Sequence, residues 1–265
     1  MASAQLKPSL KTSCKNSMSN NQKTLAMIKG GKKLATVKKQ LTNFALKTHS
    51  AEKIEELAVI LIKKAGGKPS FSMVPNYDWA TCINVNSGLV HGVPRGTFKK
   101  GDLVTIDIGM FYQGFHNDTS TTFVIGKPTL KQKNFLNIGK KTLKTAIAQA
   151  RPGNKIKNIS QKIQQGIEAA GYNVIRTLTG HGIGKELHQP PPIPCFVADT
   201  PEINTKISPN MALAIEVMYT QGSWPLELGS DGWTLTTKDG SLSAVFEETV
   251  LVTQNKPKVL TAINY

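Results

Sequence analysis

A chain of 265 residues with 39% apolar content can bury a substantial core, as one large domain or as two fused halves. No run reaches the roughly 18 uninterrupted apolar residues of a membrane helix, so a soluble protein is expected. Cys14, Cys82 and Cys195 form no CxxC pair, which argues against a disulfide framework or a thiolate zinc site and for a reducing compartment. The net charge of +16 is uneven: residues 1 to 70 hold fourteen Lys and three Glu, a net of +11, and a lysine-rich N-terminal segment can steer a protein towards RNA.

Residues 1 to about 22 are rich in Ser, Asn and Lys, lack acids and show no apolar period, which predicts a disordered basic tail ahead of a single domain over 23 to 265. From Gln22 to Leu46, the residues Leu25, Ile28, Leu34, Val37, Leu41 and Phe44 recur near helical spacing. A second helix is predicted after Ser50 as N-cap, ending at Ala65-Gly66-Gly67. Ala80 to Val85 then reads as a short strand.

In the stretch Asp102 to Gly126, Val104, Ile106, Ile108 and Met110 alternate with Thr105, Asp107 and Gly109. That is a strand with a carboxylate on its polar face, and Phe115 to Ile125 can return antiparallel to it. A turn at Tyr112-Gln113 places Asp107 opposite Asp118, and two ionised carboxylates that close need a compensating cation. The helix–helix–strand order then repeats. Leu130 to Ala150 is predicted helical, Arg151-Pro152-Gly153 breaks it, and Ile156, Ile159, Ile163, Ile167 and Ala170 form a stripe. Two such halves predict an internally duplicated α/β domain.

The second half adds His181 among glycines in Gly180 to Gly184, and His188 before a Pro-rich segment. Glu216 interrupts the apolar run Met211 to Tyr219, and Glu247-Glu248 interrupts Ser243 to Val252. A buried carboxylate implies a partner, and strand alternation sends one of the Glu247-Glu248 pair inward and the other outward. Four carboxylates, Asp107, Asp118, Glu216 and Glu247, with the His181 imidazole suit hard or borderline divalent cations.

On these residues the chain resembles the type I methionine aminopeptidases, a family with the pita-bread fold. The matching stretches are HGVP at 91 to 94, TIDIG at 105 to 109, GFHNDTS at 114 to 120, GHGIG at 180 to 184, His188, AIEVM at 214 to 218, DGWTLTTKDGSLSA at 231 to 244 and FEET at 246 to 249. The resemblance implies an α+β pita-bread architecture of pseudo-twofold duplicated halves around a curved antiparallel sheet. It implies two divalent metal ions (Co, Mn, Fe or Zn), with Asp118, His181, Glu216 and Glu247 on one and Asp107, Asp118 and Glu247 on the other. It also implies Glu216 as proton shuttle, His91 and His188 as contacts to the peptide, and a methionine pocket of Tyr77, Cys82 and Trp233. Phe71 and Val74 stand where the family more often has Cys and an aromatic, Leu178 replaces an aromatic, and Glu248 replaces a frequent His.

The activity so implied is removal of the initiator methionine from nascent polypeptide N-termini with a small second residue, by a cytoplasmic monomer. The basic N-terminal segment, with Lys32, Lys33, Lys38 and Lys39, is a candidate ribosome contact. Two other readings are an Xaa-Pro peptidase, whose known members usually carry a further large N-terminal domain, and a catalytically silent RNA-binding relative, whose ligand residues would be lost. All five candidate ligands are present here.

Overall fold

The computed structural model describes residues 20–262. The predicted tail therefore falls largely outside the described residues. Its last positions do not, because helix α1 runs Asn20–Thr48. The apolar period begins only at Leu25, so a polar first turn gave no sign of the helix. Leu25 itself is 56% exposed, and Ala26 and Met27 take the inward positions.

Ser50 caps α2 (Ala51–Lys64), accepting a hydrogen bond from the Lys53 amide at 3.3 Å. The second pair is α3 (Leu130–Ile147), opened by a Thr129–Gln132 capping box, and α4 (Ile156–Glu168). Ile156, Ile159, Ile163 and Ile167 are fully buried, whereas Ala170 lies past the helix end and is exposed.

Seven strands matter for the site: β1 (Thr81–Val85), β2 (Leu103–Tyr112), β3 (Phe115–Val124), β4 (Thr179–Gly182), β5 (Gln189–Pro194), β6 (Ala212–Thr220) and β7 (Ser243–Leu251). They belong to one antiparallel ten-stranded sheet in which β2, β3, β7, β6, β4 and β5 lie side by side and β1 pairs with β2. β2 and β3 come from the first half, while β4 to β7 come from the second. The expected mixed α+β architecture with duplicated helix–helix–strand halves is what the chain adopts.

Both helix pairs cover one face of the sheet. Val104, Ile106, Ile108 and Met110 pack with Leu34, Val37, Leu41, Ile54, Ala58 and Ile62 in the first half. In the second half Val217, Tyr219 and Phe246 pack under α3, and the Tyr219 hydroxyl donates to the Phe135 carbonyl at 2.6 Å. Two glycines allow α1 to approach the β2–β3 hairpin and the C-terminal segment. A Cβ at Gly30 would lie 2.8 Å from Asn117 Nδ2, and one at Gly31 would lie 2.7 Å from the Leu260 carbonyl oxygen. The glycine pair in the helix is thus a packing requirement.

The seam between the halves, β3 against β7, has only two backbone-paired positions, Glu247 with Ser120 and Glu248 with Thr119. On either side a threonine hydroxyl takes over. Thr249 Oγ1 accepts from the Asp118 amide and donates to its carbonyl, both at 2.8 Å, and Thr122 Oγ1 does the same for Val245 at 3.0 and 2.8 Å. A hydroxyl is both donor and acceptor, so each threonine restores a ladder step where the strands diverge.

Candidate functional site

The face of the sheet away from the helices carries the acids. Asp107 pairs with Ser120, Ser120 with Glu247, and Glu247 with Glu216, so three of the four acids stand in one row across β2, β3, β7 and β6. Asp118 lies one step along the same face of β3, two residues from Ser120, and His181 of β4 pairs with Ala214, two residues from Glu216. The expected direct opposition of Asp107 and Asp118 is corrected. Asp118 faces Gly109, because the turn is Gln113-Gly114, both with positive φ (50° and 88°), and not Tyr112-Gln113. The offset is two residues, so both acids keep the same face and become diagonal neighbours.

Asp118, His181 and Glu247 each offer a ligand atom within 4.8 Å of the others, and all three are buried. These three could hold a cation. Asp107 and Glu216 line the same cavity, with Glu216 Oε1 3.8 Å from His181 Nε2. His181 Nδ1 lies 3.0 Å from the Gly182 carbonyl, which fixes the proton on Nδ1 and leaves the Nε2 lone pair turned towards Glu216. Burial, with His188 adding to it, pushes the His181 pKa down to about 4, so the ring is neutral at pH 7.

The carboxylates go the other way. Burial first, then mutual repulsion, holds Asp107 and Glu247 well above the usual range. Glu216 is pushed up to about 8 by burial and by Asp118, and Asp118 to about 7 by burial. Among the described residues no Lys or Arg forms an ion pair with any of these four acids. Asp107 Oδ1 and Glu247 Oε1 are buried without a hydrogen-bond partner. Oxygen atoms left bare in a buried, acid-rich cavity are what a divalent cation would satisfy, so the donor set fits one.

His91 and His188 stand at the mouth, both exposed, and His188 stacks edge-on against His181 with ring centroids 4.4 Å apart. His91 has φ of 56°, a left-handed backbone that a non-glycine residue adopts at some cost. The protein around each ring strips enough water to lower its pKa, and His188 adds to the effect on His91.

Beside the acids lies an apolar recess of Phe71, Val74, Tyr77, Cys82, Leu187 and Trp233. Tyr77 meets Trp233 edge-to-face at 5.0 Å, and its hydroxyl is 2.9 Å from the Thr81 carbonyl and 3.1 Å from Cys82 Sγ. Burial raises the Cys82 pKa, which keeps a neutral thiol in this wall. Gly109 is required beneath it, since a Cβ there would lie 2.9 Å from the Phe71 ring.

The structure thus brings every sequence-predicted site residue to one cavity. It also adds residues that the sequence did not single out. Leu187 and Val90 line the recess, whereas His116, in the GFHNDTS stretch already singled out, is not among the lining residues and is tied by Nδ1 to Ser70 Oγ at 2.8 Å. Leu187 carries no signal beyond lying next to His188. Two of the expected docking lysines are corrected: Lys33 is half-buried and donates to the Ala65 carbonyl at 2.6 Å, and Lys38 is 3% exposed and bonds Glu248 Oε1 at 2.8 Å and Thr119 Oγ1 at 2.6 Å. Glu248 therefore faces the helices rather than the cavity.

The pattern of metallopeptidase family M24 matches residues 19–254. The methionine aminopeptidase of Clostridium perfringens is 35% identical over 247 residues, covering 93% of this chain and 98% of the relative. Methionine aminopeptidase 1 of Bacillus subtilis is 35% identical over 229 residues, 84% and 92% of the two chains. Among solved structures, methionine aminopeptidase from Thermotoga maritima superposes with a TM-score of 0.85 at 36% identity, covering 91% of this chain and 97% of its own. Prolidase from Pyrococcus furiosus superposes with a TM-score of 0.70 at 24% identity, covering 93% of this chain and 68% of its own, which shows a shared fold.

Proposed function

This chain belongs to metallopeptidase family M24, and from that premise we propose that it is a metal-dependent aminopeptidase that removes N-terminal methionine from peptides and nascent chains whose second residue is small. The observation that supports this most is the juxtaposition of the buried acid row with a recess walled by Phe71, Tyr77, Cys82 and Trp233. Aromatic and sulfur-bearing walls suit an unbranched thioether side chain.

Asp118, His181, Glu216 and Glu247 would hold one divalent cation, and Asp107 with Asp118 and Glu247 a second, of Co, Mn, Fe or Zn type. Such cations supply Lewis acidity, polarising a carbonyl and acidifying water. The chain's own residues do the rest. The recess takes the methionine side chain and so fixes the scissile peptide bond over the acid row. Asp107, at the row's end, marks where the free α-amino group is held, which restricts cleavage to chain ends. Glu216 carries a proton between water and the leaving amine. His91 and His188, at the mouth, hold the peptide and steady the developing oxyanion.

The same reading gives a cytoplasmic monomer. Its basic N-terminal segment, through exposed Lys32 and Lys39, docks near emerging chain ends on the ribosome. No helix among the described residues is long and apolar enough to cross a membrane.

The test is a peptide panel with protein loaded in turn with Mn, Fe, Co and Zn. Met-Gly-Met and Met-Ala-Ser should be cut and Xaa-Pro peptides spared. Cleavage of Xaa-Pro peptides in preference to Met-Gly-Met would overturn the assignment. For ribosome docking, neutralising Lys32 and Lys39 should weaken pelleting with ribosomes, and unchanged pelleting would remove that part.

A further inference from the structure

A second concentration of positive charge lies in the middle of the chain. Between Asp118 and Glu168 there is no acidic residue, and the intervening 49 positions carry nine Lys and one Arg. The remainder beyond residue 70 is net −5, so the total of +5 for residues 71 to 265 hides this +10. The structure places the basic run on the outer surface of α3 and α4 and the segments flanking them. All ten side chains are exposed, and none is in a salt bridge.

An ordinary solvated helix face mixes signs at three- and four-residue spacing, which stabilises it. On α3 no acid is present, and Lys140 and Lys141 each stand within one turn of Lys144. Lys133, Lys140 and Lys144 fall on one stripe about 16 Å long at 1.5 Å per residue, with Asn137 between them. Lys133, Asn137 and Lys140 line a groove between α3 and β3. A second groove, between α3 and α4, is lined by Thr145, Gln149, Lys162 and Gln165. Cations thus stand beside amides and hydroxyls in both grooves, Lys133 and Lys140 with Asn137 in one and Lys162 with Thr145, Gln149 and Gln165 in the other.

We propose that the outer surface of α3 and α4 binds double-helical RNA through its sugar–phosphate backbone. Ten cations without an acidic partner, with Lys140 resting over the Phe246 ring, are interspersed with neutral hydrogen-bonding groups and match a polyanion that also presents 2′-hydroxyls. A single strand fits less well, because the only aromatic residues of this stretch are Phe123 and Phe135 and neither is exposed as a stacking platform. A membrane surface also fits less well. Leu130 is the one exposed large apolar residue of the stretch, and the apolar side of α3 is committed to the sheet through Phe135, Leu136 and Leu143. The surface lies on the helix side of the sheet, away from the acid row, so RNA and peptide can be held together.

The test uses the full chain, an RNA duplex of about 20 base pairs (longer than the roughly 16 a duplex-binding module spans), the same sequence as DNA, and phosphatidylcholine vesicles containing phosphatidylserine. The variant is Lys133→Gln, Lys140→Gln, Lys141→Gln and Lys144→Gln together. Glutamine keeps helix propensity, so helicity by circular dichroism and cleavage of a short peptide should stay at the wild-type level. Wild type should bind the RNA duplex, with affinity falling steeply between about 0.05 and 0.2 M salt. The variant should bind at least about 10-fold more weakly, and its log–log salt slope should flatten by roughly 3. A Lys256→Gln, Lys258→Gln control should bind like wild type. An unchanged affinity and slope in the fourfold variant, equal binding of the DNA duplex, or binding of vesicles but not of the duplex would each overturn the proposal.

Discussion

Glu247 and Glu248 are neighbours on one strand, and they stand in opposite electrostatic worlds. Glu248 faces the helices, where Lys38 meets it at 2.8 Å and the Thr119 and Thr261 hydroxyls satisfy its other oxygen. Glu247 faces the cleft, where Asp107, Asp118 and Glu216 surround it and Oε1 has no partner. The helix face contains its own cation, and the cleft face does not. A buried carboxylate is tolerable only when something offsets its lost hydration. The contrast therefore teaches that the cleft is built to take its positive charge from solution, and that this need is specific to one side of the sheet.

The largest effect expected from breaking the contrast is on the cleft side. Asp118→Asn keeps the shape and removes a charge shared between the two proposed ligand groups. Peptide turnover should fall by more than about 100-fold, beyond the usual cost of losing an outer-shell partner. Activity within tenfold of wild type would contradict the assignment of Asp118.

On the helix side, Lys38→Met leaves the half-buried Glu248 without its cation and with only the Thr119 and Thr261 hydroxyls on it, which should cost up to about 3 kcal/mol in denaturant unfolding. Replacing both partners, Lys38→Met with Glu248→Leu, should recover most of that loss. A single variant as stable as wild type would show that Lys38 does not hold the charge.

The cleft acids also set a pH dependence for metal-free protein. Asp118 and Glu216, near 7 and 8 in the folded chain, lie above their ordinary values near 4 when unfolded. The folded chain binds these protons more tightly, so their contribution to stability is full below about pH 4 and is lost as pH climbs through 7 and 8. The melting temperature of chelator-treated protein should therefore fall by several degrees between pH 5 and 8.5, and a divalent cation should flatten the curve. A metal-free melting temperature that rises over that range would reverse the sign and refute the account.

The smallest effect belongs to the mouth. His188→Ala should lower kcat with little change in KM, by about 10-fold or more, because the proposed role of that side chain is to steady the reacting peptide and not the cation. A change confined to KM would place His188 in ground-state binding alone.

Much of this was legible in the sequence. Period-two alternation in Val104 to Met110 fixed which face of β2 is buried, and each acid of the cleft broke an apolar or Gly-rich pattern that had no other use for it. The register of the hairpin was not legible, because two adjacent turns, Tyr112-Gln113 and Gln113-Gly114, differ only in which residues take a left-handed backbone. Parity rescued the site: a two-residue offset leaves both acids on one face. The partnership of Lys38 and Glu248 spans 210 positions in sequence, and no local pattern marks a lysine as buried. The resemblance supplied candidate ligands but not their spacing, and among the described residues Asp118, His181 and Glu247 are the group that gathers within 4.8 Å.

The most direct test compares the two neighbouring glutamates. Calorimetric titration with Mn or Co should show Glu247→Gln losing affinity by more than about 10-fold, while the Lys38→Met, Glu248→Leu double variant stays folded and binds within a few-fold of wild type. Equal loss in both variants, or none in Glu247→Gln, would contradict the claim that the cleft face alone takes its cation from solution.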